Sequence, residues 1–133
     1  MITALFPHAL TTGDVTVRVA VSFQPETSQP AASRWFWAYH IRIENHGNLA
    51  VQLIDRRWEI TDGRGAMHLV EGSGVVGEQP VIAPGASFDY VSGCPLSTPS
   101  GRMTGQFGMI DGIGHRFTVD IPQFPLSGAA VIQ

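Results

Sequence analysis

The clearest chemical pattern in this chain is Gly72-Ser73-Gly74-Val75-Val76-Gly77, which satisfies the spacing G-x-G-x-x-G. In a dinucleotide-binding fold, such glycines let the backbone approach a pyrophosphate at the N-terminus of a helix. That arrangement needs a helix after the motif, but Pro80 and Pro84 leave room for only about one helical turn. The spacing therefore does not indicate a Rossmann domain.

Residues 72–77 are nevertheless a candidate anion-binding loop, because successive backbone N–H groups can form a concave nest without a helix. Glu71 and Glu78 flank the loop and would repel a phosphate unless a cation lies between them. Magnesium could be that cation, or one of three arginines: Arg56, Arg57 or Arg102. We take Arg57 and Glu78 as the supporting residues. The interpretation we favour is structural, in which the glycines serve a tight loop or bulge between strands.

Other residue types give weaker signals. None of the five histidines has the spacing H-x-x-x-H, so we expect no metal site, although convergence of His40, His46 or His68 in the fold is left open. Cys94 is the single cysteine, and nothing near it in sequence would lower its pKa, so we expect an inert buried thiol. We expect no cofactor, no catalytic residues and no enzymatic activity.

Composition narrows the functional classes. The 133 residues correspond to one domain, and a formal net charge of −3 without a basic run makes nucleic acid and membrane surfaces unexpected partners. All eight cationic side chains are arginine, which excludes chemistry that requires lysine. The N-terminus lacks a signal-peptide pattern, and no segment has the ~20 apolar residues of a membrane span. We therefore expect a cytoplasmic protein.

The elements that position these residues are short strands. Alternation of apolar and polar residues predicts strands over 15–24, 35–44, 50–54, 56–61, 66–70, 87–91, 102–110 and 115–121. Phe107 and Met109 are predicted to face Phe117 and Val119 across the last hairpin. Seven or eight strands without a convincing helix indicate an all-β fold, an antiparallel two-sheet β-sandwich. The segments 25–34 and 92–101 are predicted to be loops.

The strand faces carry three further expectations. Large aromatic residues at alternating positions are expected in the core rather than in a stacking platform: Trp35, Trp37 and Trp58. Phe36 and Ala38 are apolar on the opposite face, which predicts either a homodimer through this strand or cover by the N-terminal segment. Arg56 and Arg57 adjoin on one strand, so they should point to opposite faces.

The run from residue 71 to residue 101 resembles the ApaG family, and the match continues on both sides. It includes Asn45, Gln52, Leu53, Arg57, Trp58 and Ile60 upstream, and Met103, Gly105, Met109, Phe117, Ile121, Pro122 and Phe124 downstream. The resemblance implies a sandwich similar to immunoglobulin and fibronectin type III domains. We expect a single domain over 1–133, with its core at about 14–125 and frayed termini.

The resemblance also implies a function. ApaG-like domains are appended to eukaryotic F-box and polymerase-interacting proteins, which implies protein binding, and stand-alone bacterial members are associated with cobalt resistance and magnesium efflux. The first expectation is thus a non-enzymatic module that presents the loops 72–80 and 92–101 to a protein partner, with a link to divalent cation homeostasis. The alternative is binding of phosphate, pyrophosphate or a nucleotide at residues 72–77. The third hypothesis is a phosphoanhydride hydrolase, for which the sequence offers no residues that can be named as catalytic.

Overall fold

The chain folds as an all-β sandwich of two antiparallel sheets, as the alternation predicts. A computed structural model describes residues 5–128. Its strands are β1 His8–Thr12, β2 Val15–Phe23, β3 Trp35–Asn45, β4 Val51–Asp62, β5 Met67–Ser73, β6 Val81–Ile82, β7 Ser87–Leu96, β8 Gly101–Asp111 and β9 Arg116–Leu126. One turn of 3-10 helix lies in the loop between β2 and β3. Within this described part, no helix has the length and apolar character needed to cross a bilayer.

The two sheets enclose one hydrophobic core. The first sheet has the strand order β1-β2-β3-β7 and the second β5-β4-β8-β9, with β6 paired to the start of β4. Side chains that alternate inward from both sheets fill the space between them, including Val17, Val19, Trp37, Ile41, Ile43, Leu53, Trp58, Phe107, Met109, Val119 and Phe124. Phe107 lies opposite Val119 and Met109 opposite Phe117, which confirms the predicted cross-strand pairs.

Strand β4 replaces two shorter strands that the alternation predicts over 50–54 and 56–61. Its pairing with β8 shifts between Leu53 and Asp55, where a bulge adds one residue. The buried side therefore passes from odd positions such as Leu53 to even positions such as Trp58. The switch from odd to even buried positions was interpreted as the end of one strand and the start of another. It is instead a bulge within the single strand β4.

Parts of three segments expected to be loops or frayed ends lie in strands. The prediction of a loop over 92–101 is wrong in its first half, because β7 continues to Leu96 and pairs with β3 throughout. The first ten or so residues were expected to fray, but β1 pairs with β2 from His8 onward. Leu126 is fully buried at the end of β9. The remaining terminal residues, 1–4 and 129–133, lie outside the described part of the chain.

A charged network covers much of the outer face of the first sheet. The Glu44 carboxylate accepts hydrogen bonds from Arg18 and Arg42, each at 3.0 Å, and lies 3.1 Å from the His46 ring. Arg42 also donates to Asp89 at 3.1 Å. Burial raises the pKa of Glu44, but the hydrogen bonds from these partners outweigh burial and hold that pKa below its usual range. This face is therefore held by ion pairs.

The apolar residues of the same face have contacts within the chain. The Phe36 ring lies directly over Gly93, in space that a Cβ atom would occupy. Phe6 is buried, and its ring centroid lies 4.8 Å from that of His40, two positions along the strand from Ala38. The Phe36 ring therefore packs against β7, and Phe6 brings the N-terminal segment onto the same face; cover of Phe36 and Ala38 by that segment and the homodimer both stay predictions.

The two lateral sides of the sandwich differ. On one side the Asp120 N–H donates to the Thr12 hydroxyl at 3.1 Å, which joins β9 of one sheet to β1 of the other. On the opposite side the outer strands are β7 and β5. These two edges stand apart around a cavity. The sandwich is thus closed along one side and open along the other.

Candidate functional site

The open side contains a cavity of about 750 Å³ between β5 and β7. Much of its lining is apolar: Trp58, Ile60, Val70, Leu96 and Met103. A smaller recess of about 320 Å³ lies beside it toward residues 72–77, and both spaces are lined by Tyr39, Arg56, Trp58 and Ser92. We call the cavity and its recess the lateral cleft. Its volume is in the range of pockets that bind small molecules.

Two tyrosines from neighbouring strands line the cleft. Tyr39 belongs to β3 and Tyr90 to β7, and both side chains are buried. Among residues 5–128 the Tyr90 hydroxyl has no hydrogen-bond partner. Burial raises the pKa of both tyrosines, and the neighbouring charge of Arg56 opposes this only in part. Both hydroxyls therefore stay protonated at neutral pH and are able to donate.

Arg56 stands between the cleft and the glycine loop. One terminal nitrogen of its guanidinium donates to the backbone carbonyls of Ser73 and Gly74, at 3.0 and 2.8 Å. The guanidinium lies against Gly72, where a Cβ atom would be only 3.0 Å from it. Within the described ranges, the arginine–carboxylate ion pairs all involve other arginines. Arg56 therefore holds the loop, while its charge has no carboxylate counterion among residues 5–128.

The glycine loop docks onto the bulge of β4. The Gly74 N–H donates to the Ile54 carbonyl at 2.8 Å, and the Gln79 side chain donates to the same oxygen, also at 2.8 Å. Val75 and Glu78 exchange two backbone hydrogen bonds. A Cβ atom on Gly74 would collide with the Glu78 carbonyl. The loop thus has the structural use for glycine that we favoured, and anion binding at residues 72–77 stays a prediction.

The tip of this loop contains a strained residue. Val76 and Gly77 have φ values of 45° and 81°, the positive pair that a type I′ turn requires. Glycine adopts this conformation freely, but valine does so at a cost because its branched Cβ crowds the backbone. Asparagine followed by glycine is the preferred pair for such a turn.

Replacing Val76 by asparagine is therefore expected to stabilise the fold. We expect the free energy of unfolding to rise by about 0.5–1 kcal/mol, since the side chain is exposed and only turn strain changes. Urea unfolding followed by fluorescence measures the difference. The matched control is Val81→Asn, which changes an exposed valine in a strand and should not stabilise the protein. A loss of stability in V76N would contradict the strain argument.

The two supporting residues predicted for an anion site lie apart from the cleft. Arg57 is on the outer face of the second sheet, 3.7 Å from the carboxylates of Glu59 and Glu71, and Glu78 is exposed. Arg56 and Arg57 do point to opposite faces, as predicted, and Arg56 is the one that reaches the loop. The signal that could have found it is the hairpin register, which places Arg56 opposite Gly72.

The remaining candidates occupy separate places. Cys94 lines the cleft, and burial raises the pKa of its thiol to about 11, as expected for an inert cysteine. The histidines whose convergence was left open contact three different carboxylates: His40 with Asp89, His46 with Glu44, and His68 with Asp62. Over residues 5–128, no group of three or more His, Cys, Asp or Glu side chains is placed to hold a metal ion.

Known proteins are similar to this chain in sequence and in fold. A family model described as the ApaG domain matches residues 25–111. A protein named Protein ApaG from Rhodospirillum centenum is 50% identical over 117 residues, which is 85% of this chain and 90% of that protein. Another from Caulobacter vibrioides is 50% identical over 122 residues, covering 90% of this chain and 87% of that protein.

A solved structure agrees with these matches. The crystal structure of a Bordetella pertussis protein described as ApaA has a TM-score of 0.83 and 45% sequence identity to this chain. The alignment covers 86% of this chain and 93% of that one. The names of these three relatives state no enzymatic activity. On the family match and the identities together, the chain belongs to the ApaG family.

Proposed function

We propose that this protein is a non-enzymatic binding module that takes an extended segment of a partner protein along the free edge of β5. The observation that carries the proposal is the exposure of this strand. It is the outermost strand of its sheet, and six of its seven residues are exposed. Three of them are large and apolar: Met67, Leu69 and Val70. An exposed apolar edge of this kind is a template for strand addition.

The hydrogen-bond register shows which backbone groups face the free edge. At one end of the β4–β5 hairpin the Asp62 N–H donates to the Ala66 carbonyl, and at the other the Gly74 N–H donates to the Ile54 carbonyl. Hydrogen-bonded and non-bonded pairs alternate along an antiparallel ladder. Even-numbered residues of β5 therefore bond to β4, and the N–H and C=O groups of residues 67, 69 and 71 point outward.

A protein segment fits this edge better than a small ligand does. The outward backbone groups form a row that an added strand would pair in full, and the apolar side chains of Met67 and Leu69 would lie beside its side chains. The appended ApaG-like domains of larger proteins, which imply protein binding, support the same class of partner. We place the module in the cytoplasm, and we propose that a link to divalent cation homeostasis would act through the partner.

Site-specific photocrosslinking tests this proposal. A photoreactive phenylalanine at position 69 is expected to give a discrete crosslinked product in cells, whereas the same group at the exposed position 113 should not. Glu71→Pro in the same chain removes an outward N–H and should abolish the product. Glu71→Ala removes the same carboxylate but keeps the N–H, so it should leave the product in place.

Three results would count against strand addition by a partner protein, two of them from the crosslinked product itself. One is equal crosslinking from positions 69 and 113, which would show that β5 has no preferred contact. The other is a product of twice the mass of this chain, which would make β5 the interface of a homodimer instead. An effect of Glu71→Ala as large as that of Glu71→Pro would assign the contact to the carboxylate rather than to the backbone.

The glycine loop gives the second candidate function. The N–H groups of Val76 and Gly77 make no backbone hydrogen bond within residues 5–128, which leaves two donors at the loop tip. An amide NMR titration with pyrophosphate, repeated with magnesium and with cobalt, tests anion and cation binding there. Saturable shifts confined to residues 72–78 would support a ligand loop, and an unchanged spectrum would make the glycines structural only.

A further inference from the structure

We propose that the lateral cleft is a binding site for a small organic carboxylate with an aromatic or branched apolar body. The carboxylate would lie between Arg56 and Tyr90, and the apolar body would lie in the larger cavity. This proposal concerns the space between the sheets, so it does not rest on strand addition at β5. It rests on the charge of Arg56, the hydroxyl of Tyr90 and the lining of the cavity.

The Arg56 guanidinium supplies the positive charge of the proposed site. One nitrogen of the Arg56 guanidinium bonds to the loop carbonyls, which leaves the other N–H groups as donors. The acidic side chain that lines the cavity is Asp62, which lies 3.6 Å from His68. A partly buried guanidinium without a carboxylate counterion favours an anionic ligand. One such charge matches a carboxylate better than a dianionic phosphate.

The Tyr90 hydroxyl supplies the second hydrogen-bond donor of the proposed site. Tyr90 is 7% exposed, and its hydroxyl is without a hydrogen-bond partner in the described part of the chain. A buried hydroxyl without a partner lowers stability, so such groups are rare unless a water or a ligand completes them. Tyr90 lines the recess together with Arg56. A carboxylate there would accept from the guanidinium with one oxygen and from the hydroxyl with the other.

The larger cavity would hold the apolar body of the ligand. The cavity beside this polar recess is walled by the indole of Trp58 and by aliphatic side chains from β4, β7 and β8: Ile60, Leu96 and Met103. Its volume of about 750 Å³ is large enough for a ring system with a short side chain. A polar recess joined to an apolar cavity selects molecules that carry both parts, and it disfavours free inorganic anions.

The test is an amide NMR titration of the full chain with indole-3-acetate as the probe. We expect saturable shifts at Val70, Ser92, Gly93 and Leu96, which line the cleft, and none in the turn 112–114. Indole-3-acetamide, the neutral analogue, should bind about tenfold more weakly, because it cannot form the charge-assisted hydrogen bonds. Phenyl phosphate should also bind more weakly, and tighter binding of this phosphate would overturn the assignment of a carboxylate.

Two neighbouring arginines supply a matched pair of variants. Arg56→Gln is expected to weaken indole-3-acetate binding by about tenfold, because it removes the charge and keeps an amide donor for the loop. Arg57→Gln removes the same charge from the opposite face and should leave the affinity unchanged. Equal losses in the two variants would mean that only the overall charge of the protein matters, which would overturn the site.

Tyr90→Phe separates a ligand role from a structural one. Removing a buried hydroxyl that has no partner among residues 5–128 should raise the thermal midpoint of the ligand-free protein, while the affinity for indole-3-acetate falls by about threefold to tenfold. A variant that is more stable but binds equally well would show that the hydroxyl does not contact the carboxylate. An absence of saturable shifts with all three probes would overturn the proposal as a whole.

Discussion

Replacing Phe124 by alanine is expected to lower the free energy of unfolding by about 3–5 kcal/mol, the usual cost of removing a large buried aromatic side chain. Phe124 is fully buried in β9, and its ring centroid lies 6.0 Å from those of both Tyr39 and Trp58. These three rings connect β9 to β3 and β4, so the deletion would leave a cavity between the two sheets. Equilibrium unfolding in urea, followed by tryptophan fluorescence, measures the loss.

The matched control for this deletion is Ile113→Ala. Ile113 is 77% exposed in the turn between β8 and β9, so its truncation should change stability by no more than about 0.5 kcal/mol. A loss of less than about 1 kcal/mol in Phe124→Ala would contradict the packing described here, because small effects are typical of surface positions.

Replacing Asn45 by aspartate is expected to cost about 3 kcal/mol or more, because it sets a buried charge against two carbonyl groups. Asn45 is buried at the end of β3. Its amide donates to the carbonyls of Leu49 and Ile82 at 2.9 and 3.0 Å, and its side-chain oxygen accepts from the Gly47 N–H at 3.0 Å. Aspartate has nearly the same shape but lacks both donors.

Asn48→Asp is the control for this change, because Asn48 is exposed in the loop that follows β3 and undergoes the same substitution. Its stability should stay within about 0.5 kcal/mol of the unmodified protein. The loss in the free energy of unfolding caused by Asn45→Asp should also become smaller as the pH falls. Burial beside carbonyls raises the pKa of the introduced carboxyl group, and once protonated that group regains one donor. A deficit independent of pH, or equal losses at both positions, would contradict this account.

The first half of the fold follows from local sequence because its strands are half-buried. In β2 and β3 every second residue enters the core, so the alternation fixes both the strand and its inward face. The last hairpin has the same property, and its cross-strand pairs were predicted correctly. The sequence pattern predicts these strands because one face of each packs in the core and the other faces water or the ion pairs around Glu44.

The errors fall where the phase of the alternation changes or where edge strands tolerate unusual residues. The bulge of β4 changes which positions are buried, and β9 shows the same change past Ile121, opposite a shift between Met103 and Gly105. The segment of β7 around Gly93 and Pro95 has the composition of a loop. Pro95 is tolerated because β7 pairs with a neighbouring strand on one side only. Gly93 is favoured because the absence of a side chain leaves space for the Phe36 ring.

The lateral cleft could not be predicted from local patterns. Tyr90 lies in the strand that the alternation predicts over 87–91, but whether its hydroxyl finds a hydrogen-bond partner depends on what lies across the sandwich. Arg56 was recognised as a candidate cation, yet its role depends on the hairpin register. The cleft exists because β5 and β7 are the edge strands of different sheets on the same side. That relation brings Arg56 and Tyr90 to one recess although they are 34 positions apart, a separation that no short window of sequence contains.

The exposed edge of β5 also affects how the protein behaves when it is concentrated. Natural sheet edges are commonly protected from aggregation by lysine, proline or bulges. This chain contains no lysine, and β5 carries no proline and a single carboxylate, Glu71. Its outward N–H and C=O groups can pair with any extended chain nearby, including a partly unfolded copy. Crowded or heated preparations should therefore aggregate through this strand first, and a bound partner would act as its protective cover.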